Sequence, residues 1–179
     1  MEIRTVDAPG DAQWDAYVRA HPDGTIFHES AWTAAVMEAY RHRPVLLAAW
    51  RGGQLTGVLP LFLVKSWIFG SRFVSTAFGA YGGVLADDAA IALALATAAR
   101  DAAKDRGAKY VELRSRRVLF PNEPVKDLYW GFRIPAAKTV DATLATLSKK
   151  MRQDLRRSEN RGFRFEETDV RPMGRTAYG

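Results

Sequence analysis

Two long apolar runs on either side of a Gly-Gly pair constrain the fold of this chain more than any other feature. Residues 44–50 and 55–64 are almost continuously apolar, and Gly52-Gly53 between them is typical of a two-residue hairpin turn. They predict an antiparallel hairpin at the centre of a sheet. Pro60 in the second run predicts a bulge or an edge position, because proline has no N–H for the ladder. The side chains expected to be buried include Leu46, Leu59, Leu61 and Leu63.

Helix and strand signals surround the hairpin in the order strand, helix, helix, hairpin, strand, helix, strand, strand, helix. The second helix is expected to have Ser30 as its N-cap, and the strand at 109–114 to bury Val111 and Leu113. The other predicted elements are a strand at 3–6, a helix capped by Asp11, an Ala-rich helix ending at Gly107, a strand at 128–134 and a helix capped by Thr139. This order predicts an α+β fold with a mixed, mostly antiparallel sheet flanked by helices.

Composition excludes several kinds of site. The chain has no cysteine, which removes disulfides, thiolate metal sites and cysteine nucleophiles and fits a reducing cytoplasm. His21, His28 and His42 have no metal-ligand spacing and are expected to be structural, so neither a metal nor a cofactor is predicted. No signal-peptide pattern and no bilayer-spanning apolar run is present, so a cytoplasmic location is expected. The net charge of +6 indicates an anionic partner.

Most of that charge lies in one segment. Residues 149–164 hold seven Lys or Arg against two acidic residues, so five of the six net positive charges fall there. The spacing predicts a helix over 148–162, with Ser148 as N-cap and with Met151 and Leu155 as its narrow apolar stripe. Two interpretations remain open, a solvated charged face or a surface that holds phosphate groups. The phosphate contacts would come from Arg152 and Arg156.

A stretch rich in glycine and aromatic residues, 69–83, is the second candidate for ligand binding. Glycine lets backbone N–H groups approach a ligand, and aromatic side chains can form its wall. Tight turns packed by aromatic side chains explain the same composition equally well. Neither the dinucleotide-binding fingerprint nor the P-loop is present. The candidate substrate-binding residues in or beside this stretch are Lys65, Phe69, Tyr81, Gly82 and Gly83.

Four stretches together resemble one family. They are 27–32 (Phe-His-Glu-Ser-Ala-Trp), 57–83, 110–114 (Tyr-Val-Glu-Leu-Arg) and the basic pattern at 149–163. The chain resembles FemAB-like aminoacyl and N-acyl transferases, most closely the members found with bacterial exosortase (PEP-CTERM) and exopolysaccharide systems. Each half of such a protein has a GNAT acyltransferase fold, and a hinge helix joins the halves.

The resemblance implies a GNAT-like N-terminal half at 1–147, a basic hinge helix at 148–162, and the start of a second half with a disordered tail at 163–179. It implies aminoacyl or N-acyl transfer to a cell-envelope or exopolysaccharide-related acceptor at the inner membrane surface. The partner would be a phosphate-bearing envelope precursor or an acyl carrier such as aminoacyl-tRNA. A chain missing its second half is expected to be nearly inactive alone and to self-associate weakly.

Two departures from the family pattern narrow these expectations. Peptidoglycan-type members carry Lys one turn after the motif Trp, where this chain has Val36, which disfavours a uridine-diphosphate-linked peptidoglycan substrate. The nearest approach to a GNAT coenzyme A loop, 54–59, ends in Leu within a predicted strand, which disfavours acetyl-CoA. No catalytic residue is assigned. A non-catalytic interaction domain and a basic RNA-binding module remain alternatives, although RNA binding predicts stacking aromatics among the cations and 149–161 has none.

Overall fold

The computed structural model describes residues 1–6, 12–68, 70–126, 131–132 and 137–162. The chain divides into two compact units, Met1–Lys126 and Asp127–Gly179. The elements of the first unit are β1 (Glu2–Val6), α1 (Ala12–Ala20), α2 (Ser30–Tyr40), β2 (Arg43–Arg51), β3 (Gln54–Ser66), β4 (Gly70–Val74), β5 (Leu85–Ala86), α3 (Ala89–Asp105) and β6 (Val111–Glu112). The described part of the second unit contains α4 (Val140–Thr146) and α5 (Lys149–Glu159).

The strands of the first unit form one mixed sheet. Its order is β1-β2-β3-β4-β6, and β5 also pairs with β3. Every pairing is antiparallel except that of β4 with β6, which are parallel and joined by the crossover helix α3. The prediction of an α+β fold with a mixed, mostly antiparallel sheet is therefore confirmed.

The predicted hairpin is confirmed as the centre of the sheet. Leu46, Leu59 and Leu61 are buried, whereas Leu63 is only partly buried. The only register shift between β2 and β3 falls at Ala49/Trp50, so of the two alternatives predicted for Pro60, a bulge or an edge position, the bulge is wrong. On the other side of β3, the paired residues are 57–58 with β5 and 62–66 with β4. Pro60 lies in the gap between these two ladders, where a missing N–H costs nothing.

Helices cover both faces of the sheet, which explains why β2 and β3 are apolar at consecutive positions rather than at alternate ones. On one face, Leu47 and Leu59 pack against α3 through Ile91 and Leu95. On the other face, residues of β2 and β3 pack against Trp14 and Val18 of α1 and Val36 of α2; they are Leu46, Ala48, Val58 and Phe62. Full burial of one such side chain contributes about 2 kcal/mol.

The boundaries of one helix and one strand differ from their predictions because of contacts with other elements of the fold. The N-cap of α2 is Glu29, not Ser30, because the backbone N–H and the hydroxyl of Ser30 both donate to the Asp15 carboxylate of α1. The strand predicted at 109–114 shortens to β6, whose residues 111–112 pair with β4, and both Val111 and Leu113 are only partly buried. The predicted strand at 128–134 falls largely outside the described residues.

In the second unit, both helices begin at the predicted caps. The Thr139 hydroxyl accepts a hydrogen bond from the N–H of Ala142, and the Ser148 hydroxyl accepts one from the N–H of Met151. Gly162, with φ of 70°, follows the end of α5 in the left-handed conformation that glycine favours. None of the helices in the described part of the chain is long and apolar enough to cross a bilayer.

Candidate functional site

The segment between β4 and β5, residues 75–84, is held by side chains from three other parts of the first unit. We call it the β4–β5 loop. Every second carbonyl from 77 to 83 accepts a hydrogen bond from a side chain. The bonds are Trp32 Nε1 to Ala77 O (3.2 Å), Arg114 Nη1 to Gly79 O (2.9 Å), Thr25 Oγ1 to Tyr81 O (2.8 Å) and His28 Nε2 to Gly83 O (3.1 Å). The loop therefore has a fixed conformation although it pairs with no strand along these residues.

The glycines of this loop are required by packing inside the protein. A Cβ on Gly82 would lie 2.3 Å from Thr76 Cβ, and a Cβ on Gly83 would lie 2.1 Å from Ser115 Oγ. A Cβ on Gly79 would lie 2.6 Å from the Phe27 ring. Close packing thus accounts for these three glycines without a ligand, as in the tight-turn interpretation of the stretch.

Backbone strain is concentrated at two residues of the same loop. Thr76 has φ of 57° and Phe78 has φ of 62°, in the left-handed region that bulky residues rarely adopt. The Phe78 side chain is 56% exposed and stacks on Tyr40 with ring centroids 3.9 Å apart. The Thr76 hydroxyl is buried and has no hydrogen-bond partner among the described residues. Such strain persists only where the surroundings fix it, and the four carbonyl contacts supply that restraint.

His28 lies beneath the loop in a neutral form. Its Nδ1 accepts a hydrogen bond from the N–H of Thr25, at 3.2 Å, so the proton is assigned to Nε2, which donates to Gly83 O. Burial lowers the pKa of His28 to about 4. The indole of Trp14 donates to the carbonyl of His28 at 2.7 Å, which anchors the turn to α1. His28 is thus the structural histidine expected from the sequence.

A shallow cleft opens beside the loop and is rich in arginine. Its charged and polar lining consists of Asp23, His28, Arg114, Ser115, Arg116 and Arg117, next to Tyr81 and Gly83. Arg114 Nε donates to Glu112 at 2.8 Å, so the two side chains form a surface pair. Arg117 forms a close ion pair with Asp23 Oδ2, and Arg116 Nη1 lies 3.9 Å from Asp23 Oδ1. Three guanidinium groups therefore meet two carboxylates.

Arg152 of α5 stabilises the corner between the two helices of the second unit. Its Nη1 donates to Leu147 O at 2.6 Å and to Ala145 O at 3.3 Å, so it satisfies carbonyls at the end of α4. Arg156 is exposed and makes no ion pair within residues 137–162. Met151 and Leu155 are 47% and 44% exposed. Arg156 rather than Arg152 is consequently the freer of the two predicted phosphate contacts.

Replacing Arg152 by alanine is expected to loosen α4 at a cost of about 1 kcal/mol, because two carbonyls lose a charged donor. Amide hydrogen exchange across residues 140–147 measures the change. The matched control is Arg156→Ala, which removes the same charge from the same helix without touching α4. Equal exchange rates in the two variants would contradict this role for Arg152.

The predicted site residues lie in different places. Tyr81 and Gly83 line the arginine-rich cleft, and Gly82 is buried against Thr76. Lys65 is exposed near the end of β3, opposite Ser71. Arg152 and Arg156 belong to the second unit, and Phe69 lies outside the described residues. The structure adds Arg114, Arg116 and Arg117, which are not among the candidate residues drawn from the sequence.

Searches for known relatives returned similarity in backbone shape alone. No family model matches the chain, and no curated protein matches it. Among solved structures, a ribosomal-protein-alanine N-acetyltransferase from Brucella melitensis biovar Abortus 2308 is 15% identical, with a TM-score of 0.47 over 76% of this chain and 100% of its own. An aminoglycoside 6'-N-acetyltransferase from Acinetobacter haemolyticus is 14% identical, with a TM-score of 0.46 over 75% of this chain and 100% of its own.

A transcriptional regulator from Bacillus halodurans C-125 is also similar, at 16% identity and a TM-score of 0.43 over 95% of this chain and 97% of its own. At these identities and TM-scores, the likeness is one of fold. No activity, ligand or residue role is taken from it.

The described residues contain no group of three or more His, Asp or Glu side chains that could hold a metal ion.

Proposed function

We propose that this chain is a module of an N-acyl or aminoacyl transferase of the FemAB-like kind. The observation that carries the proposal is that separate motif stretches meet at one place. Trp32 of the 27–32 stretch donates to Ala77 O, and Arg114 of the 110–114 stretch donates to Gly79 O. Both carbonyls belong to the part of the β4–β5 loop that lies within the 57–83 stretch. Residues that resemble the family in sequence therefore form one contact network.

The substrate is proposed to be an envelope or exopolysaccharide-related acceptor rather than a uridine-diphosphate-linked peptidoglycan precursor. Val36 stands where peptidoglycan-type members place the phosphate-binding Lys. It is 3% exposed and packs against Phe62 and Ala77 in the core. A side chain at this position of α2 faces the sheet, so it contributes no contact to a ligand in solvent.

Helix α5 is proposed to hold the phosphate groups of the carrier or acceptor. Residues 149–161 carry six Lys or Arg side chains, and the ion pair of Arg157 with Asp154 spans 3.8 Å between exposed groups. Exposed pairs of this kind contribute little to stability, so most of the positive charge remains available to an anion. Arginine forks bind phosphate oxygens in a bidentate way.

Acyl transfer also needs a nucleophilic amine, a positioned carbonyl and a donor for the developing oxyanion. The acceptor supplies the amine. No described residue is assigned to positioning the carbonyl or to donating a hydrogen bond to the oxyanion. On the resemblance, a second GNAT-like half is proposed as the partner that completes the site. This chain would then work at the inner membrane surface, and the exposed Met151 and Leu155 would support weak self-association in the absence of that partner.

The double change Arg156→Gln and Arg157→Gln is expected to weaken binding of bulk tRNA about ten-fold at low salt, because two phosphate contacts are lost. The slope of log affinity against log salt should become shallower by roughly 2. Fluorescence anisotropy with labelled tRNA at several salt concentrations measures the affinity and the slope. The measurement is repeated in competition with a nucleotide diphosphate sugar. The matched control is Arg19→Gln with Lys104→Gln, two exposed cations of the first unit. An equal loss of affinity in the control would favour the alternative interpretation, in which α5 presents a solvated charged face.

A further inference from the structure

Arg116 is the least satisfied charged side chain of the arginine-rich cleft. Its side chain is only 28% exposed, and among the described residues it makes no hydrogen bond. Its nearest acidic oxygen is that of Asp23, at 3.9 Å, beyond hydrogen-bond distance. By contrast, Arg114 donates to Glu112 and to Gly79 O. A guanidinium that is partly withdrawn from water and has no hydrogen-bond acceptor within the protein has donors left over for an acceptor supplied from outside.

The charges around Arg116 do not balance. Asp23 is shared by Arg116 and Arg117, and Glu112 is engaged by Arg114, so the cleft holds one positive charge in excess. His28, which also lines the cleft, is neutral above its lowered pKa of about 4 and offers no compensation. An anion entering the cleft would be attracted by the excess charge at short range, where screening by salt is weak.

The frame of the cleft is rigid before any ligand binds. The guanidinium of Arg114 is held by two partners, and its backbone N–H donates to Ser75 Oγ at 2.8 Å. Ser115 packs against Gly83, whose carbonyl is fixed by His28. Groups that are already oriented lose little conformational entropy on binding, which favours affinity.

We propose that this cleft binds a phosphate group of an organic phosphate, with Arg116 and Arg117 as its main contacts and the Ser115 hydroxyl beside them. A phosphate offers three acceptor oxygens and up to two charges, which suits two neighbouring guanidinium forks. A single carboxylate is already present in Asp23 and leaves Arg116 without a hydrogen bond. Leu119 and Tyr81 supply an apolar wall for the body that carries the phosphate.

This site differs from the one proposed on α5 and does not rest on the transferase assignment. Its residues all lie in the first unit, within three segments of the chain at 23–28, at 81–85 and at 114–119. Asp23 acts in it as an internal competitor, because its carboxylate occupies guanidinium groups that a phosphate would otherwise engage.

Inorganic pyrophosphate titrated into the ¹⁵N-labelled chain tests the proposal by NMR. Amide shifts should concentrate at residues 81–85 and 114–117. Arg116→Gln should weaken binding at least ten-fold, and Asp23→Asn should tighten it several-fold, a gain that loss of a structural contact would not produce. Arg156→Gln with Arg157→Gln should leave these shifts unchanged, which separates this cleft from α5. Urea unfolding confirms that each variant is folded.

Citrate provides the second arm of the experiment, since it carries carboxylates in place of phosphate. Citrate binding with equal affinity would overturn the choice of phosphate. Pyrophosphate binding that survives Arg116→Gln, or that is not tightened by Asp23→Asn, would overturn the site itself. Shifts that fall only on residues 149–161 would also overturn the site in the cleft, and they would support the phosphate site proposed on α5.

Discussion

Replacing Gly82 by alanine should lower the free energy of unfolding by about 3 kcal/mol, at the upper end of the usual cost of overpacking. The added methyl group would lie 2.3 Å from Thr76 Cβ and 2.4 Å from Thr76 Cγ2. Thr76 cannot move away easily, because it is fully buried in a left-handed backbone conformation. The loop must therefore shift, and the hydrogen bonds that hold Tyr81 O and Gly83 O would be strained with it.

Urea unfolding followed by circular dichroism measures this loss. Ala80→Ser is the matched control, since Ala80 is exposed in the same loop and the change also adds one heavy atom. The control should stay within about 0.5 kcal/mol of the wild type. If Gly82→Ala were as stable as the control, the explanation of this glycine by internal packing would be wrong.

The second large effect is a loss of stability in mild acid that depends on His28. The folded-state pKa of this histidine, about 4, lies below the unfolded value near 6.5, because burial disfavours the charged ring. Between these two values the unfolded chain binds a proton that the folded chain does not. The contribution of His28 to the free energy of unfolding is therefore fully present above pH 6.5, and it is lost as the pH drops toward 4. From pH 7 to pH 5 the expected loss is about 2 kcal/mol.

Chemical denaturation at a series of pH values between 7 and 5 measures this slope. His28→Asn removes the titrating ring and should flatten the curve over this range, although the variant is less stable at pH 7 because the contact with Gly83 O is weakened. A wild-type slope that survives in His28→Asn would show that other groups cause the acid sensitivity.

Features set by local sequence were predictable. The hairpin follows from two apolar runs around Gly52-Gly53, and the caps at Thr139 and Ser148 follow from short polar side chains before helical patterns. In each case, the residues that determine the structure are within a few positions of one another. The absence of alternation from the sequences of β2 and β3 is typical of strands that are buried on both faces.

Features set by long-range contacts were not predictable. Ser30 donates to the Asp15 carboxylate of α1 and is not the N-cap of α2, and Arg152 faces carbonyls at the end of α4 rather than solvent alone. The arginine-rich cleft depends on a pair between Asp23 and Arg117, which are 94 residues apart. In the sequence, Arg114 ends the predicted strand at 109–114, and nothing indicates that it shares a cleft with Arg116 and Arg117. The carbonyl contacts of the β4–β5 loop likewise join residues 35 to 56 positions apart.

Formation of an amide tests the transferase assignment most directly. The chain is incubated, alone and together with a second GNAT-like half from the same locus, with an aminoacyl-tRNA and an amine-bearing envelope glycan, and the product mass is measured. If the chain is a FemAB-like module, the acceptor gains the mass of the aminoacyl group only when both halves are present. Transfer by the 179-residue chain alone, or no transfer by the two halves together, would contradict that assignment.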